Sequence, residues 1–147
     1  AYKFLKNKST TEHRFEKVEI INGTRFINDS KSTNFHSVSS ASERVKNALL
    51  IMHGITKNIP TSELQLSNEI KKIIIPNDMN LDHNLFHCEV EVIKSIFELE
   101  DILKKDFQRF ETVLFSCGGS SFNDFENYIE RGKFFKSIVK NLKGGQN

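Results

Sequence analysis

The stretch Ala48-Leu49-Leu50-Ile51-Met52-His53-Gly54, "ALLIMHG", is apolar at every position until His53 and then stops at a glycine. A strand with one wet face alternates apolar and polar residues. A strand apolar throughout is covered on both faces, as in parallel sheets flanked by helices. Two more stretches have this character: "KIIIP" (72–76), stopped by Pro76, and "TVLFS" (112–116). Helical spacing fills the intervals. Asn34, a favourable N-cap, precedes Val38, Ala41 and Val45, and Thr61 with Glu63 predicts a helix through "TSELQLSNEIKK" (61–72). A short helix is expected over 80–87 and a strand at "EVEVIK" (89–94). Ser95 with Glu98 forms a capping box ahead of Ile96, Leu99, Ile102 and Leu103, in a helix to about Lys105. Phe134, Ile138 and Leu142 share one stripe of "FNDFENYIERGKFFKSIVKNL" (122–142). Strands alternating with helices predict an α/β fold, a Rossmann-like, mostly parallel sheet with right-handed crossovers.

Upstream, "FEKVEIINGTRFIND" (15–29) reads as two short strands around Asn22-Gly23, a pair that accepts the positive φ a tight hairpin requires. This hairpin adds an antiparallel edge. Residues 1–12 read as a linker or flexible arm, 13–143 as one domain, and 144–147 as a disordered tail. The 147 residues include 13 phenylalanines, enough apolar bulk for a core. A net charge of +2, with basic and acidic residues interspersed, lacks the basic stripe of a nucleic-acid binder. Cys88 and Cys117 make no disulfide framework, which fits a reducing cytoplasm. No signal peptide or membrane-length apolar run is present.

Ligands of open parallel sheets bind outside the carboxyl ends of the strands. Three loops are expected there: "DSKSTN" (29–34), "HGITK" (53–57) and "SCGGSSF" (116–122). They offer the hydroxyls of Thr33, Ser116, Ser120 and Ser121, the ammonium groups of Lys31 and Lys57, and the close backbone approach that Gly118 and Gly119 permit. Taken singly, Thr33 and Ser121 read as helix caps and the lysines as solvated charges. Together the loops predict a site for a small anion. His83 and His87 stand at i, i+4 beside Cys88, but no second cluster completes a metal site, so no metal is expected. Cys117 lacks a His/Asp partner and reads as an inert thiol. Neither a GxxxxGK[ST] phosphate loop nor a GxGxxG fingerprint occurs.

"EHRFEKVEIINGTRFINDSKSTN" (12–34) and "VLFSCGGSSFNDFENYIERGKFF" (113–135) resemble the two ends of the C-terminal domain of the Mur ligases, in particular members that add D-glutamate to UDP-N-acetylmuramoyl-L-alanine. The Asp-Asn-Pro-Arg motif of the diamino-acid-adding sister ligase is absent. The resemblance implies a cytoplasmic, monomeric ATP- and Mg2+-dependent ligase that activates a carboxylate as an acyl phosphate for attack by an amine, in peptidoglycan synthesis. It implies that the phosphate loop and magnesium sites belong to preceding domains, so that this chain binds no cofactor and is inactive by itself. By the same resemblance Thr33, Lys57, Ser121, Phe122 (through its N–H) and Tyr128 would contact D-glutamate. Arg14, Asp29 and Ser30 would approach the nucleotide, and Lys31 the transferred phosphoryl group. Two departures stand out. His53 and Ile55 replace residues of a Gly-Gly-Asp-Gly-Lys loop, and Cys117 follows Ser116 where the family has proline. A folylpolyglutamate-synthase-type ligase and a non-catalytic anion-binding module are the alternatives.

Overall fold

Every residue of the strand Ala48–His53 is buried, as its unbroken apolar run requires. The computed structural model describes residues 12–56 and 60–145. Six strands, β1 (Glu16–Ile21), β2 (Thr24–Asp29), β3 (Ala48–His53), β4 (Ile70–Pro76), β5 (Glu89–Ile93) and β6 (Thr112–Gly118), form one sheet in the order β1-β2-β6-β3-β4-β5. Only β1 runs antiparallel to its neighbour. Asn22 (φ 51°) and Gly23 (φ 87°) make the tight turn joining it to β2, both in the left-handed region that Asn and Gly tolerate.

Among the described residues, three helices cover the sheet: α1 (Phe35–Ser42), α2 (Leu99–Asp106) and α3 (Tyr128–Gly144). Alternate residues of each buried strand face opposite sides. Phe26, Leu49, Ile51, Ile74, Val113 and Phe115 pack with α2 and α3. Ile27, Leu50, Met52, Ile73, Ile75 and Leu114 pack with α1. The neighbouring strands β2 and β6 are thus followed by helices on opposite faces. Their carboxyl ends open into the crevice where open α/β sheets bind ligands.

The expected mixed, mainly parallel α/β sheet is what the structure shows, and Asn34 caps α1 by accepting a 2.9 Å hydrogen bond from the Ser37 N–H. The Ser95/Glu98 capping box also forms, although it opens a 3-10 turn (Ile96–Glu98) that leads into α2. Several helices are shorter than expected. The segment 61–72 makes only a 3-10 turn (Thr61–Glu63) before β4, because α1 captures its backbone. Ser39 Oγ accepts from Gln65 N–H at 2.9 Å and donates to the Glu63 carbonyl, and Ser42 Oγ accepts from Ser67 N–H at 3.0 Å. The expected helix at 80–87 is the single turn His83–Leu85, since Asn80 adopts left-handed backbone (φ 53°). α1 stops at Ser42, and α3 begins at Tyr128 after a 3-10 turn, Ser121–Asn123. At its far end α3 continues to Gly144, one residue into the expected tail. Residues 1–11 of the expected arm lie outside the described residues.

Candidate functional site at the carboxyl edge of the sheet

β2 ends on a buried carboxylate. Asp29 accepts from the Phe15 N–H at 2.8 Å and from Ser116 Oγ at 2.7 Å, which ties the end of β2 to the end of β6. Burial pushes its pKa up, against the pull of those two hydrogen bonds. Next along the loop, Ser30 is fully buried: its hydroxyl donates to the Tyr128 carbonyl at 2.7 Å and accepts from Arg131 Nε at 3.0 Å.

Beside Asp29 lies a cavity of about 260 Å³ whose wall includes Arg14, Asp29, Lys31, Ser32, His36 and Arg44. Three permanent or near-permanent cations therefore share it with one carboxylate, so it favours an anion. The Arg44 guanidinium is stacked 3.7 Å from the Phe15 ring centre, and Lys31 Nζ lies 5.6 Å from that of Tyr128. Among the described residues, Ser32 Oγ is buried without a hydrogen-bond partner.

The loops after β3 and β6 are laced together. The Ile55 N–H donates to the Ser120 carbonyl at 2.8 Å, and the Ser120 N–H to the Ile55 carbonyl at 3.0 Å. The backbones meet at Gly54 and Gly119, where a Cβ on either would collide with the other loop. This contact accounts for both glycines. The Ile55 side chain, which stands where the family carries an acid, is 42% exposed.

The structure brings Arg14, Asp29 and Lys31 to one cavity, with Tyr128 against Lys31. Thr33 is exposed just before the Asn34 cap, and Ser30 lies inside the fold rather than on the cavity wall. Ser121 is buried in the turn after β6, while Phe122 projects from it, 73% exposed, with its N–H donating to Ser120 Oγ at 3.4 Å. Ser116 is occupied by Asp29. Lys57 lies outside the described residues. Cys117 is fully buried and its thiol is pushed up to about 12, which makes it inert at neutral pH.

The structural roles of Arg131, His53, Asp124 and His13 at this edge escaped the sequence reading. Arg131 is fully buried, with its guanidinium on Ser30, His53 and Gly119. His53 joins it to Asp124, and His13 packs against Gly132. A signal for Arg131 did exist: with Phe135, Ile138 and Leu142 it falls on the buried stripe of α3, where an arginine needs polar partners.

Over 97% of its length the chain is 35% identical to part of the UDP-N-acetylmuramoylalanine–D-glutamate ligase of Thermosipho africanus. It is also 35% identical, over 98% of its length, to the ligase of the same name from Thermosipho melanesiensis. The chain is a Mur-ligase-type domain. It spans 35% of the length of each of these relatives. No family model matches it. A folylpolyglutamate synthase structure from Thermotoga maritima superposes with a TM-score of 0.50 at 20% identity, over 91% of this chain and 31% of that one, and so shares the fold of this Mur-ligase-type domain.

Proposed function

We propose that this chain is the amino-acid-binding, C-terminal domain of a cytoplasmic ATP-dependent ligase that joins D-glutamate to UDP-N-acetylmuramoyl-L-alanine through an acyl phosphate. The observation that carries this reading is the match of nearly the whole chain to D-glutamate ligases. The cation-rich cavity at the β2/β6 crevice supports it physically. Thr33, Ser121, Phe122, Tyr128 and Lys57 are the glutamate contacts. Lys57 pairs a carboxylate of the amino acid, and the others supply hydrogen bonds and an aromatic wall. Arg14 and Lys31 face phosphate oxygens, where fixed positive charge stabilises charge that develops during transfer.

ATP supplies the phosphoryl group. The cavity suits such a group, since Arg14, Lys31 and Arg44 line it. Asp29 orients the Phe15 N–H and the Ser116 hydroxyl, and Ser30 acts by holding Tyr128 and Arg131 in place. Among the described residues, no group of three His, Cys, Asp or Glu side chains could hold a metal ion. The resemblance to the Mur ligases, and not this absence, is what assigns magnesium to the preceding domains of the ligase. Among the described residues, no helix is long and apolar enough to cross a membrane.

The test uses the full-length protein with UDP-N-acetylmuramoyl-L-alanine, comparing D- and L-glutamate by phosphate release. D-glutamate is expected to be the substrate. Preference for L-glutamate on a pterin acceptor would instead identify a folylpolyglutamate-type ligase. Lys57→Ala is expected to raise the KM for D-glutamate about tenfold or more, the loss of a charge-assisted contact. An unchanged KM would remove Lys57 from the site. The 147-residue chain alone is expected to be monomeric and to release no phosphate from ATP.

A further inference from the structure

We propose that Arg131 is the positioning residue of this site: from inside the domain it holds the three loops in register and sets a fixed positive charge beneath them. Its side chain is fully buried, yet all its partners lie at the carboxyl edge. Nη2 donates to the Ser30 carbonyl at 2.7 Å and Nε to Ser30 Oγ at 3.0 Å, on the loop after β2. Nη1 donates to the His53 carbonyl at 3.1 Å, at the end of β3, and to the Gly119 carbonyl at 2.8 Å, after β6. One planar group therefore joins the loop after β2, which carries Lys31, the end of β3, and the loop after β6, which carries Ser121.

Arg131 forms no ion pair among the described residues, and the residues outside them contain no Asp or Glu. A guanidinium stays charged at any physiological pH. Burying it against neutral partners, the carbonyls of Ser30, His53 and Gly119 with the Ser30 hydroxyl and the His53 ring, is unfavourable for folding. An apolar residue would complete the α3 stripe at lower cost, as Phe135 and Ile138 do. The buried charge is explained if it serves an anion bound above it.

A second arm extends the same device. Nη1 also lies 3.2 Å from His53 Nδ1, so that nitrogen accepts, and the ring's Nε2–H donates to Asp124 Oδ2 at 2.8 Å. Phe125 stands edge-on to the His53 ring, 5.4 Å between centres. The charged groups acting on His53 are Arg131 of α3, Asp124 of the loop after β6 and Asp78 of the turn after β4. This arm fixes the far end of the turn that bears Ser121 and Phe122, and His53 supplies it where the family loop carries glycine.

Only the ligand readout rests on the glutamate reading; the loop readout does not. In this chain, Arg131→Lys keeps the charge and loses the planar fork. Amide exchange at Ile55 and Ser120, the two lacing N–H groups, is expected to rise about tenfold, while Arg25 and Ala48 at the opposite edge keep their rates. Affinity for D-glutamate is expected to fall by a similar factor. A folded Arg131→Lys protein with unchanged exchange at Ile55 and Ser120 overturns the proposal. Should that variant not fold, Asp124→Asn carries the test. The His53 titration, followed by NMR, must move to lower pH and Ser120 must exchange faster. If both stay put, the proposal fails. A wild-type chain that shows no D-glutamate binding, with the exchange results as expected, overturns the glutamate reading and leaves the positioning role standing.

Discussion

His13 and Gly132 explain each other. The imidazole is 2% exposed, its Nδ1 accepts from Asn28 Nδ2 at 2.8 Å, and a Cβ at residue 132 would collide with the Nδ1 edge of the ring. Gly132→Ala is therefore expected to cost about 1–3 kcal/mol, the range for overpacking a filled core. Urea unfolding would measure this, and His13→Ala in the same chain should recover part of the loss; strict additivity of the two would refute the contact. The buried histidines also predict a pH dependence. Burial is the largest cause of the lowered pKa of both His13 and His53. The unfolded chain then binds protons that the folded chain refuses. Their stabilising effect is complete above the ordinary histidine value, about 6.5, and is lost as pH falls from there toward the depressed values. Asp29, whose pKa burial raises, has the opposite sign. Unfolding free energy should drop between pH 7.5 and 5.5, a window set about one pH unit either side of the ordinary histidine value. A flat profile there would contradict the neutral assignment of His13 and His53.

At the scale of elements, the region after β3 shows tertiary partners overriding periodicity. Leu64 and Leu66 occupy apolar positions that a helix through 61–72 would use, and they do pack on the α1-side core. They reach it from an irregular segment because the serines of α1 satisfy the segment's backbone groups. Ser42 is fully buried, and Ser42→Ala leaves the Ser67 N–H without its acceptor. A loss of about 1 kcal/mol is expected, typical of one hydrogen bond lost from a half-buried donor. Circular dichroism should show no gain of helix, whereas a gain would mean that the serine alone prevents one. The cap of α1 was legible in advance because Asn34 acts on its own helix, three residues away. The capture by Ser39 and Ser42 was not, because it joins residues 24 to 26 positions apart.

For the whole molecule, the strand order places β3 and β6 in the middle of the sheet and β1 and β5 at its edges. Every residue of β3 and β6 is buried, while the edge strands are largely half-exposed. Hydrogen exchange should accordingly be slowest in β3 and β6, through global unfolding, and faster in β1 and β5, through local opening. Equal protection in β5 and β3 would contradict this hierarchy. The same order sets β2 beside β6 although 82 residues lie between Asp29, which ends β2, and Thr112, which begins β6. 

From the sequence by itself came the α/β class, the Asn-Gly hairpin, the three buried strands and the three loops, because apolar period, turn chemistry and capping are local properties of the chain. Asp29 and Lys31 could be named in advance for the same reason, by their place in a loop that follows a strand, whereas Arg14 was named through the resemblance to the Mur ligases. Only the tertiary structure decided that Ser30 faces inward, that Ser116 is held by Asp29, and that Arg131, His53 and Asp124 bind the loops from within. These contacts span 71 to 101 positions of sequence. The sheet order, which no local pattern encodes, is what brings such residues within hydrogen-bonding distance.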